Sequence, residues 1–93
     1  MELKPCTVVK SAGGHDQGFF VVLSFDGTNA YIANGKSRLL EKPKKKNPKH
    51  LTLTRTAFDL QQLTTDKKLR EALWPFNYGG LGEQIVEERD SLG

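Results

Sequence analysis

Eight permanent cations fall within residues 36–55: Lys36, Arg38, Lys42, Lys44, Lys45, Lys46, Lys49 and Arg55. Only Glu41 opposes them, a balance of +7. Residues 1–35 carry a balance of −1 and residues 56–93 one of −3, so the formal net charge of +3 understates the asymmetry. One sign of charge gathered in one short segment is the chemistry of polyanion binding. Nucleic acid and an acidic membrane surface are the partner classes. Charge runs are often plain solubilising loops, but the near absence of opposing charge favours a phosphate-binding arm. Lysine is a hydrated point charge suited to backbone contact without base choice. Arg38 offers a planar fork for a phosphate or a splayed base. Pro43 and Pro48 predict an extended run without regular hydrogen-bonded structure. No amphipathic basic helix or lipidation signal accompanies the run, which disfavours a membrane.

Other chemistries lack their parts. A metal site needs about four suitably spaced ligands, and Cys6, His15 and His50 are scattered. A Cys6–His15 nucleophile pair has no supporting context. Glu87 and Glu88 are neighbours, about 100° apart on a helix, and read as a solvated face. There is no phosphate-cradling glycine loop of P-loop type. The expectation is a non-enzyme with no cofactor and no metal. His50 reads as a surface residue at the start of a strand, and Cys6 as a small buried strand residue.

The elements that would position the cations are short. Residues 6–11, 18–25 and 30–33 are β-branched and aromatic and read as strands. The second and third are joined at Asp26-Gly27-Thr28-Asn29 as a hairpin. Asn34-Gly35 is a further turn signal. Residues 37–41, SRLLE, read as a short fourth strand. In HLTLTR, residues 50–55, Leu51 and Leu53 alternate with polar residues, the period of a half-buried fifth strand. Five short strands with tight turns predict a small barrel. A helical turn is expected over Ala57–Leu63, with Leu60 and Leu63 on one side. A helix is expected over residues 64–74, capped by Thr64, Thr65 or Asp66 and stopped at Pro75. Residues 76–82 then form a loop and 83–90 a final short helix.

Residues 8–22, VVKSAGGHDQGFFVV, resemble the KOW motif: a strand, a glycine-containing loop and a signature glycine, here Gly18, opening the next strand. AYIANGK at 30–36 followed by KKKNPKHL at 44–51 resembles KOW-bearing large-subunit ribosomal proteins of archaeal and eukaryotic type, and more closely their small bacterial RNA-binding relatives. The resemblance covers roughly residues 3–54. It implies an SH3-like β-barrel that binds RNA, ribosomal RNA before others, with no catalytic site. With the strands above, the expectation is a mostly β fold, a five-stranded barrel over residues 1–55. Residues 56–93, which the resemblance does not reach, read from their own pattern as a helical, acidic extension of the same domain, with ribosomal proteins as further partners if that extension docks on them. The implied RNA contacts are Lys10, Ser11, Gly14, His15 and Gln17 around the KOW loop, with the basic segment adding Lys36, Arg38, Lys42, Lys44, Lys45, Lys46, Lys49 and His50. Gly13 and Gly18 are structural members. Gly18 calls for positive φ, or for close approach of another backbone or a ligand. The KOW loop of such proteins often carries Arg or Lys near its tip. Gly14-His15-Asp16-Gln17 carries no permanent cation and one carboxylate. The weight of phosphate contact therefore shifts to residues 36–49.

Ninety-three residues make one small domain, with apolar and charged contents of 37% and 27% that exclude a disordered chain. With a single cysteine and no secretory leader pattern, the chain is expected in the cytoplasm, monomeric when free. Phe19 and Phe20 face opposite ways in a strand. One belongs to the core; the other is covered by the C-terminal helix or stacks on a base. Trp74, Phe76 and Tyr78 either anchor the C-terminal extension or form a partner-binding patch. The second would make the chain a protein-interaction module of the translation or transcription machinery, the rival to RNA binding.

Overall fold

The computed structural model describes residues 4–11 and 16–79. Strands β1 (Thr7–Ser11), β2 (Gly18–Phe25), β3 (Ala30–Ala33), β4 (Lys44–Lys46) and β5 (Leu51–Ala57) form one antiparallel sheet in the order β4-β3-β2-β1-β5. A 3-10 turn at Pro48–His50 leads into β5, and another at Leu60–Leu63 leads to helix α1 (Asp66–Asn77). Among the described residues no pairing between β4 and β5 closes the sheet. None of their helices is long and apolar enough to cross a membrane.

Both faces of the sheet are buried, and alternate residues divide between them. Val8, Phe19, Val21 and Ala33 pack with Cys6, Leu63 and the α1 residues Leu69, Leu73 and Phe76. Val9, Phe20, Val22, Ala30, Ile32 and Leu51 form the second cluster, with Phe25 and Leu53 against it. Among the described residues no helix contributes to that second cluster. Two breaks in register bend the sheet. Between Val22 and Ser24, β2 advances two residues against one in β3. Between Thr7 and Val9, β5 advances from Ala57 to Leu53. The second break turns Thr54 inward, and its Oγ1 donates to the Val8 carbonyl at 2.8 Å. The strict alternation expected of residues 50–55 is lost there. Phe19 is covered by α1, with its ring 5.6 Å from that of Phe76; Phe20 fills the other core.

The hairpin at Asp26 is as expected. The Asp26 carboxylate accepts from Thr28 N and Asn29 N at 2.8 and 2.7 Å, and Gly27 takes φ 95. The fourth strand is a correction. Residues 37–41 are bends and turns, and the strand is Lys44–Lys46. Pro43 and Pro48 bracket it rather than deny it hydrogen bonds, because both fall outside its ladder with β3. His50 lies in the 3-10 turn, not in β5. Cys6 is buried but precedes β1, with φ 69; its N–H donates to Val22 O and its carbonyl accepts from Phe58 N. The turn after β5 begins at Leu60, which is exposed, and buries Leu63 alone.

Helix α1 is capped by Thr65, whose side chain accepts from Lys68 N, and it buries Leu69, Leu73 and Phe76 on one face. It continues through Pro75 to Asn77 instead of stopping before the proline. An interior proline costs roughly 3 kcal/mol. Burying Phe76 returns about 1.5–3 kcal/mol. The Asn77 amide adds two bonds to one backbone unit: Phe19 N donates to Oδ1 at 2.8 Å, and Nδ2 donates to Phe19 O at 3.3 Å. At about 0.5–1.5 kcal/mol each, these offset the rest. The expected loop over 76–82 thus loses its first two residues to the helix. The expected helix over 83–90 lies outside the described residues.

Candidate nucleic-acid interface

The basic segment is divided by its neighbours into inward and outward cations. In an antiparallel pair, opposed residues share a face. Lys44 opposes Ile32 and Lys46 opposes Ala30, both buried in the second core. Lys45 opposes Tyr31 on the other face. Lys44 and Lys46 are half-buried and Lys45 is exposed.

The inward cations meet Asp16, which is buried. Arg38 Nε donates to Oδ1 at 2.7 Å and Nη2 to Oδ2 at 3.1 Å, a two-pronged pair. Lys46 Nζ lies 3.9 Å from Oδ2. The Arg38 hydrogen bonds hold the Asp16 carboxyl below the usual aspartate value, against the upward push of burial; the charges of Arg38, Lys46 and Lys44 act in the same direction as those bonds. Asp16 in turn raises the Arg38 value. The Arg38 fork, expected to face phosphate, is occupied within the protein. The lone carboxylate of the loop before β2 is the internal counter-ion of the basic edge.

The outward cations are Lys42, Lys45 and Lys49, with His50 exposed beside Lys49. Asn47 caps the 3-10 turn that presents Lys49, its Oδ1 accepting from Lys49 N at 2.9 Å. Lys45 runs beside the turn of Asp26, whose carboxyl is held low by the N–H groups of Asn29 and Thr28. Tyr31 donates its hydroxyl to Asp26 at 3.1 Å and is raised by that bond. Arg55 is exposed on β5.

Two expected contacts lie apart from this edge. Lys10 is exposed on β1, with Nζ 5.7 Å from the centroid of the Phe19 ring. Lys36 is exposed in the turn after β3; its Nζ donates to the Tyr78 hydroxyl at 2.9 Å and lies 5.4 Å from the Tyr78 ring centroid. Gln17 is exposed. Ser11 is a correction: it is buried at 1% exposure, so its hydroxyl does not face a ligand at the surface. Gly13, Gly14 and His15 lie outside the described residues.

Gly18 has the positive φ expected of it. Its φ is 112, and a Cβ there would stand 2.8 Å from Asn77 Oδ1. The close approach is made by the side chain of Asn77, the last residue of α1, rather than by another backbone or a ligand. Gly35, φ 77, is a second such place: a Cβ would run into the Asp66 carbonyl and lie 3.2 Å from Arg70 N. The turn of residues 34–38 therefore rests directly on α1. Asn34 Oδ1 accepts from Lys36 N and Arg38 N, and Arg70 donates to Gly35 O at 2.8 Å.

Sequence reasoning missed Asp16, Asn77 and Tyr78 as members of the site. Asp16 had one signal, a carboxylate in a loop without a local cation in a chain rich in cations elsewhere. Cys6 has its thiol pushed up first by burial and then by the Asp59 charge, which leaves it a poor nucleophile at neutral pH. Among the described residues, no three or more His, Cys, Asp or Glu side chains gather as a metal site. Compared with family models and with curated proteins, the chain matches none.

Proposed function

We propose that the chain is a non-catalytic RNA-binding protein, ribosome- or ribosomal-RNA-associated and cytoplasmic, that holds an RNA backbone along the β4 edge. One observation carries this reading. Within the +7 segment, residues 42–50 fold into an edge strand and its flanking turns, with Lys42, Lys45 and Lys49 exposed and, among the described residues, a single buried carboxylate to offset the inward cations. Lysines on a strand edge also deter pairing with other chains, but that role does not call for cations in both flanking turns. The finer fold proposed is an SH3-like barrel of KOW type. Its support is the sheet order with β1 between β2 and β5, the 3-10 turn leading into β5, and Gly18 at positive φ.

Affinity on this reading comes mainly from counter-ion release. The triple variant Lys42→Ala, Lys45→Ala, Lys49→Ala removes solvent-facing charge and spares the Asp16 cluster. On single-stranded RNA the slope of log K against log salt should flatten by about 2, near 0.7 for each phosphate no longer neutralised. Equal affinity and equal slope for variant and wild type across the salt range would overturn the reading. The rival, a protein-docking module, draws its acidic half from residues outside those described. Its aromatic half, Trp74 and Tyr78, has another use.

A further inference from the structure

A groove of about 880 Å³ lies between the last turns of α1 and the turn after β3. Lys36, Leu39, Arg70, Trp74, Pro75 and Tyr78 are among its lining residues. Four large apolar side chains are exposed among the described residues: Leu39, Leu60, Trp74 and Tyr78. Three of them line this one groove. Trp74 and Tyr78 are 57% and 59% exposed, and their rings stand 6.1 Å apart at 44°, so they do not cover each other's faces. Two cations border them. Lys36 is fixed over Tyr78, and Arg70 is anchored on Gly35 O by one of its nitrogens. Among the described residues, Glu71 is the one carboxylate in the lining.

Exposed aromatic faces beside a fixed ammonium are the chemistry of a stacked base with its phosphate. The place fits as well. Antiparallel pairing sets Lys44 opposite Ile32, at the end of β3 that leads into the turn carrying Lys36. A backbone followed along β4 thus arrives at the turn that forms one wall of the groove. We infer that the groove between α1 and the turn after β3 takes an unpaired base of single-stranded RNA, stacked on Trp74 and Tyr78, with Lys36 on its phosphate. This deepens the RNA-binding reading and rests on it.

Trp74 is the single tryptophan of the chain, so intrinsic emission reports on this groove alone. The test uses the full chain with a single-stranded oligoribonucleotide of about eight nucleotides, and an abasic strand of equal length. Binding is read by anisotropy, and stacking by emission. Both strands should bind, the base-bearing one more tightly, and only that strand should quench Trp74. Trp74→Ala should weaken the base-bearing strand about 5- to 100-fold and leave the abasic strand unchanged, whereas Trp74→Phe keeps most of the affinity. Equal affinities and unchanged emission for the two strands would overturn the inference while leaving the RNA-binding reading intact. If neither strand binds, both fall. Emission already shielded from acrylamide in the free chain, and indifferent to RNA, would give the groove to another occupant, such as residues 80–93, and overturn the inference. Quenching by an acidic peptide but not by RNA would overturn it in favour of a protein partner.

Discussion

Lys36 and Arg38 stand two residues apart in one turn and face opposite neighbours. Arg38 points to a buried carboxylate that satisfies its fork at 2.7 and 3.1 Å. Lys36 points to an exposed phenol and remains at the surface. Both were expected to hold RNA. The difference teaches that a cation counted in a basic run is available to a ligand only if the fold has not already matched it. Burial sorts them: an ionised group removed from water needs a partner, and one left in water does not.

The sharpest way to break this contrast is at Gly35, which seats the turn carrying both side chains against α1. Gly35→Ala combines positive φ with a clash against the α1 backbone. It should cost about 2–4 kcal/mol, read as a lower midpoint in urea unfolding. An unchanged midpoint would mean that the turn does not rest on α1. Asp16→Asn comes next. It removes the charge that Arg38 and Lys46 face and should cost about 1–3 kcal/mol at neutral pH, toward the low end because Arg38 is partly solvated. Because folding lowers the Asp16 value below 3.8, the contribution is present above the ordinary aspartate range and disappears as pH falls through the lowered value. Wild type and Asp16→Asn should therefore converge in strong acid; a constant gap at all pH values would assign the loss to packing. Lys36→Ala should have the smallest effect on stability, within about 0.5 kcal/mol. Its effect should appear instead as weaker binding of base-bearing RNA in the same anisotropy assay.

Legibility in the sequence followed the range of the forces involved. β2 and β3 match their expected bounds because their cues are local: aromatic and β-branched runs around an Asp-Gly turn. β4 was displaced for the opposite reason. Three lysines have little strand propensity, and only the ladder with β3 makes them a strand, whereas Leu39 and Leu40 offered a stronger apolar signal. The end of α1 was misplaced because Pro75 is a local stop overruled by Phe76 and Asn77, whose partners lie far away in sequence. At the site, the cations were legible and their sorting was not. Asp16 is 22 residues from Arg38, and nothing in composition reveals that pair.

The Asn77 side chain takes the backbone bonds of Phe19 where β3 has already ended, across 58 positions of sequence. It works as a latch between β2 and α1. Forming it closes a loop of 58 positions, a non-local contact of the kind that slows folding. The Phe19 amide proton is then a reporter: in hydrogen exchange its protection measures how often α1 lifts from the sheet, separately from the opening of the sheet itself.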